Sequence, residues 1–593
     1  MKQFFITIAG VFVGLMLFAI GLPLMLITLA AAAAKPEVTP ARAVLVLDLR
    51  DGLTDQAPQN PFAFFRGKGL SVMGVEETLK QAQRDDKVRG LFVRLPEGGM
   101  APAAADELRD SFKRFRAAGK PILVHSQGLY ADGMVTSTYE LAAASGDVWM
   151  QPASSFQAVG IAGQDVFFKR FFDRYGVIAD FQQRYEYKNA INPYLYDDYT
   201  PAHRESELSW MGSVYDTALT DVAADRGGTP ATVAALLRAG PYSAEEAKQK
   251  GLIDGLGEVK EAETAILAKA GDGARLVDFD DYAARGSASA PSLSPGPKIA
   301  VISAEGDIMT GRDGAPNPLA GGETIRSDDL SKAFYDAIDD KNVRAIVFRV
   351  SSPGGSDTAS EQILAAVRAA KTAGKPVVVS MGTYGASGGY WIASQASEIV
   401  AQPSTLTGSI GVFGGKFALG PALAKFGVDV KGLSVGGDYA SSMGMGAPMT
   451  PTQRAAFSAW MDRIYAGFVG RVAEGRHLPV ERVQQIARGH VWTGAQAKAL
   501  GLIDAIGGFP LAVERAKALA GLKGEVRLEP FGGPSTPFEA IQRFFGANAS
   551  AARTLSMAVH LADDPKAQAM IGALGDARLR ADGATVLAPS LVR

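Results

Sequence analysis

Two long stretches of this chain echo each other at an offset of about 250–255 residues, and that duplication limits the possible folds more than any other feature. "KVRGLFVRLPEGG" (Lys87–Gly99) is matched by "NVRAIVFRVSSPGG" (Asn342–Gly355), and "AAGKPILVHS" (Ala117–Ser126) by "TAGKPVVVSM" (Thr372–Met381). Further on, "SAEEAKQKGLIDGLGE" (Ser243–Glu258) is matched by "TGAQAKALGLIDAIGG" (Thr493–Gly508). One folding unit is used twice. The length agrees, because 593 residues exceed what a single core holds. The copies are expected at 42–284 and 299–544. Between them, 285–298 ("RGSASAPSLSPGPK") has the composition of a linker. The Ala-rich tail, 545–593, has no counterpart in the first copy and is expected to be helical, peripheral and without chemistry.

Each copy alternates short apolar runs with longer amphipathic ones. In the second, "KIAVISAEG" reads as a strand and "SDDLSKAFYDAIDD" as a helix opened by Ser327. "VRAIVFRV" and "KPVVVSM" are strands on either side of the helix "SEQILAAVRAAKTAG". Strand–helix alternation predicts an α/β fold with a largely parallel, buried sheet in each copy. Sites in such sheets lie beyond the carboxyl ends of the strands, where both "SSPGGS" and "YGASGG" fall.

After Lys2 no charged residue occurs until Lys35. About 20 apolar residues span a bilayer, so 4–34 is expected to be a transmembrane anchor, with a cleavable signal as the competing reading. The net charge of −2 gives no reason to expect nucleic acid as a partner. The chain has no cysteine, which excludes disulfides, cysteine-ligated metal and thiol catalysis.

"GASGG" (Gly385–Gly389) places Ser387 in a Gly-x-Ser-x-Gly pattern, the signature of a serine lifted clear of the backbone on a strand-to-helix turn. Such a nucleophile needs a base. His477 and His490 follow Ser387 in the order an α/β-hydrolase triad requires, which keeps that class open. His125 reads as a core imidazole and His203 as a solvated helix start, while the fifth histidine, His560, lies in the tail. The repeat offers another answer. Aligning Tyr139 with Tyr390 sets Thr136 opposite Ser387, so the first copy lacks the nucleophile. Conversely, Lys188 of "YEYKNAINPYLYDDYTPAHRE" faces Asp438 or Tyr439, so the second copy lacks the lysine. One copy supplies a serine and the other a lysine.

"RVSSPGGS", "YGASGGYWIA", "PSTLTGSIGVFGG" and "YEYKNAINPYLYDDYTPA" together resemble the long, duplicated form of the signal peptide peptidase A (protease IV) family, from about Arg42 to Ala520. The resemblance implies tandem domains with the fold of the Clp protease subunit and the crotonases. It implies a Ser/Lys dyad with Ser387 as nucleophile and Lys188 as general base. Ser409 would orient the lysine, and the backbone N–H groups of Gly354 and Gly388 would form the oxyanion hole. It also implies a membrane-anchored endopeptidase for apolar peptides, chiefly remnant signal peptides. This would be a homotetramer in the bacterial inner membrane, single-pass, with its catalytic part periplasmic, and without metal or cofactor. A crotonase-like acyl enzyme and a non-catalytic membrane scaffold are the remaining alternatives.

The chemistry sets a condition on the fold. A free lysine has a pKa of about 10.4 and is protonated at neutral pH. To take a proton from serine it must be buried away from carboxylates. Asp197 and Asp198 are therefore expected to point away from Lys188. The glycines of "SPGG" let backbone amides turn toward a ligand, although "PEGG" (Pro96–Gly99) in the first copy shows that such a turn is partly structural.

Overall fold

The structure, a computed structural model, describes residues 39–56, 70–287, 296–312, 324–532 and 586–587. The expected anchor at 4–34, most of the tail and His560 lie outside the described residues. Among the described residues, no helix is long and apolar enough to cross a membrane.

The first copy forms a six-stranded sheet in the spatial order Gly255–Leu256, Val148–Met150, Ile122–Ser126, Val88–Arg94, Ala43–Asp48, Arg275–Asp278, parallel throughout. Its strands are near-continuous apolar runs because helices cover both faces. Val44, Phe92 and Leu123 pack on Ala262 and Ile266 of the helix Val259–Ala270. Leu45, Leu91 and Val93 pack on the other side with the helices Val72–Arg84, Pro102–Ala117 and Val135–Ala144.

The second copy repeats this plan. Lys298–Glu305, Val343–Ser352 and Val377–Ala386 run parallel at the centre, with Arg527–Phe531 at one edge. Val377–Ala386 then pairs with both Glu398–Ala401 and Leu406–Gly408. Ile299, Val347 and Val378 pack on the helix Phe509–Leu519, while Ile302, Phe348 and Val379 face the opposite layer. The helix Asp357–Thr372 starts where the Ser356 side chain accepts from Ala359 N–H.

Among the joints between the copies, three bear on the site and its support. Ile178–Gln183 of the first copy pairs antiparallel with Phe413–Ala418 of the second, carrying the following residues, Lys188 among them, onto the second copy. The fully buried Arg349 donates through Nε to Asp55 (2.9 Å) and through both terminal nitrogens to Glu107 (3.1 and 2.8 Å). Ser404 N–H donates to the buried Asp106 at 2.9 Å.

Two expectations are revised. His203 does sit in the first turn of the helix Pro201–Arg226, but it is buried rather than solvated, its ring packed against Tyr199 and Phe167. In the tail, the described pair Val586–Leu587 is a strand, not a helix, and pairs antiparallel with Gly354–Gly355.

Candidate active site

Val377–Ala386 delivers Ser387 at its carboxyl end, and the helix Gly388–Ala393 begins at the next residue. Ser387 has φ +54° and ψ −118°. A residue with a side chain pays about 1–3 kcal/mol for such backbone and holds it only where its surroundings enforce it. Here Ser387 N–H donates to the Gly408 carbonyl at 2.8 Å, in line with the pairing of Ala386 with Gly408. Gly389 is required by a close approach, since a Cβ there would stand 2.4 Å from the Ser352 carbonyl oxygen.

Lys188 is completely buried. Its Nζ lies 2.8 Å from Ser387 Oγ, 2.9 Å from Ser409 Oγ and 3.0 Å from the Ser409 carbonyl oxygen. Burial alone pulls its pKa well below the ordinary lysine value, with no carboxylate opposing it. Asp197 and Asp198 are exposed. Ser409 is held by its own N–H, which donates to the His490 carbonyl at 2.8 Å, at a backbone φ of +49°.

Gly354 and Gly388 meet beside Ser387. A Cβ on Gly388 would stand 3.1 Å from Gly354 Cα and 3.0 Å from Gly355 N, so the two backbones are in contact. Gly388 is the first residue of its helix, where no intrahelical carbonyl accepts its N–H. Gly354 N–H donates to Ser352 Oγ at 3.2 Å, a bond that an incoming carbonyl oxygen would share or replace.

None of the four described histidines hydrogen-bonds to Ser387. The His490 ring stacks on Trp492 with centroids 3.8 Å apart, and its Nδ1 meets the Val491 carbonyl. His477 is the left-handed residue that ends the helix Pro451–Arg476. His125 Nε2 meets the Gly257 carbonyl in the core of the first copy. Thr136, aligned with Ser387, is buried and gives its hydroxyl to the Gly160 carbonyl. Asp438 and Tyr439, aligned with Lys188, lie on an exposed turn.

Sequence reasoning missed the seat of the lysine. A Cβ on Gly489 (φ +84°) would come within 2.6 Å of both Lys188 N and Cβ, and one on Gly411 within 3.1 Å of Lys188 Cδ. Gly411 belongs to "TGSIG" and Gly489 immediately precedes His490, but neither motif announces a partner more than 200 residues away.

Comparison with known proteins identifies the family. Residues 114–271 and 369–523 each match peptidase family S49, one match in each copy. The chain is 33% identical over 508 residues to Protease 4 of Salmonella typhi, covering 82% of this chain and 79% of that protein. It is 31% identical to Protease 4 of Haemophilus influenzae, over 78% of this chain and 75% of that one. Against the chloroplastic Serine protease SPPA of Arabidopsis thaliana it is 27% identical, over 85% of this chain and 73% of the relative. With most of both copies spanned by these relatives, the chain belongs to peptidase family S49 and is a serine protease.

Proposed function

We propose that Ser387 and Lys188 are the nucleophile and general base of an endopeptidase that works through an acyl-enzyme. The observation that carries this is the buried amine 2.8 Å from Ser387 Oγ with no carboxylate to keep it charged. A neutral amine has two N–H groups and one lone pair. The two N–H groups match the carbonyl and hydroxyl oxygens of Ser409, which leaves the lone pair for the Ser387 hydroxyl.

The Ser387 proton moves to Lys188 Nζ as Oγ bonds to the scissile carbonyl carbon, and the carbonyl electron pair moves onto oxygen. The N–H groups of Gly354 and Gly388 hold that oxyanion; donors of this kind are worth about 3–4 kcal/mol each. Collapse breaks the C–N bond, and the Lys188 ammonium returns its proton to the leaving amine. Water then gives a proton to Lys188 as it attacks the ester carbonyl, and collapse breaks the bond to Ser387 Oγ, which takes that proton back from the Lys188 ammonium.

The substrates in this reading are extended apolar peptides, remnant signal peptides above all. The strand Val586–Leu587 supports it, because an apolar stretch of the chain's own tail already lies antiparallel on Gly354–Gly355, the way a peptide adds to a sheet edge. The uncharged run between Lys2 and Lys35 supports anchoring in a bilayer through 4–34. The family resemblance alone carries the homotetramer and the periplasmic placement of the catalytic part.

The test is labelling of the detergent-solubilised protein with a fluorophosphonate, followed by mapping of the adduct. Ser387 should carry the label, Ser387→Ala should abolish it, and Lys188→Ala should slow it by at least about 100-fold. Labelling elsewhere, or at an unchanged rate without the lysine, rules the pair out.

A further inference from the structure

Beneath the joint between the copies, three carboxylates converge that the peptidase chemistry does not use. Asp106 on Pro102–Ala117, Glu140 on Val135–Ala144 and Asp221 on Pro201–Arg226 each bring one oxygen within 4.8 Å of the other two. Asp106 and Glu140 are buried, at 3% and 0% exposure. Asp106 accepts from Ser404 N–H of the second copy, and Asp221 is paired with Arg109 at 3.0 Å. Arg109 and Lys113 are further engaged by Asp225, at 2.6 and 3.2 Å.

Glu140 is the anomaly. Both its oxygens are buried, no N–H or hydroxyl donates to them and it forms no ion pair; it faces the Asp106 and Asp221 carboxyls, with which only a shared proton makes a hydrogen bond. Burial and the neighbouring Asp106 push its pKa well up, and burial raises that of Asp106 to about 7. A buried acceptor left without a partner is costly. Arg109 is paired with Asp221, but among the described residues no cationic side chain forms an ion pair with Asp106 or Glu140.

We propose that Asp106, Glu140 and Asp221 bind a divalent cation of the hard, oxygen-seeking class, Ca²⁺ in particular. The donor set is all oxygen, with neither histidine nor sulfur. The number of carboxylates decides between the common candidates. Three protein carboxylates suit Ca²⁺, which takes about six to eight oxygens in flexible geometry, whereas Mg²⁺ keeps several waters and is held through only one or two carboxylates. Ser404 Oγ, 3.4 Å from Asp106 Oδ1, is a further oxygen beside the cluster. Access comes from an open cleft of about 620 Å³ between the copies, lined by Asp221, Thr217 and Ser213 on one side and Pro403 and Gln496 on the other. Water from this cleft completes the coordination.

The bound ion clamps three helices of the first copy under the Ser404 turn of the second. Pro201–Arg226 follows the Lys188 segment, and Ser404 lies five residues before Ser409, so the clamp braces the joint that brings lysine and serine together.

The test uses the full chain in detergent, stripped with EDTA and held at pH 8. CaCl₂, MgCl₂ and ionic-strength-matched NaCl are titrated in turn, with binding read by calorimetry and the thermal midpoint followed. Ca²⁺ should bind, and the midpoint should keep rising with each tenfold excess over its dissociation constant. Ca²⁺ should bind more tightly than Mg²⁺, and Glu140→Gln should weaken it at least about tenfold. In EDTA that variant should melt no lower than the parent, because it removes a buried like charge, so a lost Ca²⁺ response would not reflect a failure to fold. Absence of a Ca²⁺-specific response, an undiminished one in Glu140→Gln, or tighter binding of Mg²⁺ would each overturn the assignment; the first two would leave shared protons as the countercharge.

Discussion

Lys188→Met is expected to lower kcat/KM on a peptide substrate by about 10²–10⁴-fold, the range for losing a general base, while leaving the protein at least as stable as the parent at pH 7. The two halves of this expectation have one cause. The lysine sits in a niche that disfavours its charged form, through burial alone. Its folded-state pKa is therefore below its unfolded value, and the unfolded chain binds the extra proton. Stability contributed at this position rises with pH up to the ordinary lysine range, and at neutral pH the amine is a liability. Methionine fills similar space without a proton to lose, so the variant gains most at low pH and the difference narrows toward pH 10. Peptide hydrolysis and thermal melts across that range check both halves. A variant that loses activity and also melts far below the parent at neutral pH would point to a packing role for the lysine instead.

Arg349→Met carries the largest expected effect on stability. Arg349 is fully buried in the strand Val343–Ser352, and its guanidinium spans Asp55 and Glu107 of the first copy. Burial disfavours its charge, but the two carboxylates more than offset this and hold its pKa well above the usual arginine value. Removing it strands both carboxylates, and breaking a buried pair in this way costs about 3–5 kcal/mol. The thermal midpoint should fall by on the order of 10 °C. Combining Arg349→Met with Asp55→Asn and Glu107→Gln should recover most of the loss, because the penalty lies in the uncompensated charges. No recovery in the triple variant would mean that the guanidinium matters mainly for its packing.

Much of this architecture is legible in the sequence because the chain states it twice. The runs "VRGLFVR" and "VRAIVFRV" alternate with helical segments in the same order, and both become central parallel strands. The contrast between the copies singles out Ser387 and Lys188, since each chemistry-bearing residue lacks its equivalent in the other copy. They stand 2.8 Å apart. What periodicity cannot convey is which residues face one another across the joint. Arg349 reads as an ordinary charge near a strand end, and nothing local ties it to Asp55 or Glu107, more than 240 positions earlier. Gly489 and Gly411 look like loop glycines, because the reason for their small size is the lysine stem packed against them. Glu140 shares a helical face with alanines in "TSTYELAAA", where its burial shows only once Asp106 and Asp221 are brought beside it. His203 misled for the converse reason: a helix start suggests solvent, and the aromatic rings that cover it lie on neighbouring segments.

The most direct test of a neutral lysine acting on Ser387 is the pH dependence of fluorophosphonate acylation, followed as a rate from pH 5 to pH 10. The rate should climb with pH and reach a plateau far below the ordinary lysine value of about 10.4, and in Lys188→Met that limb should be missing. A rate that keeps rising in proportion to hydroxide up to pH 10, or the same profile with and without the lysine, would contradict it.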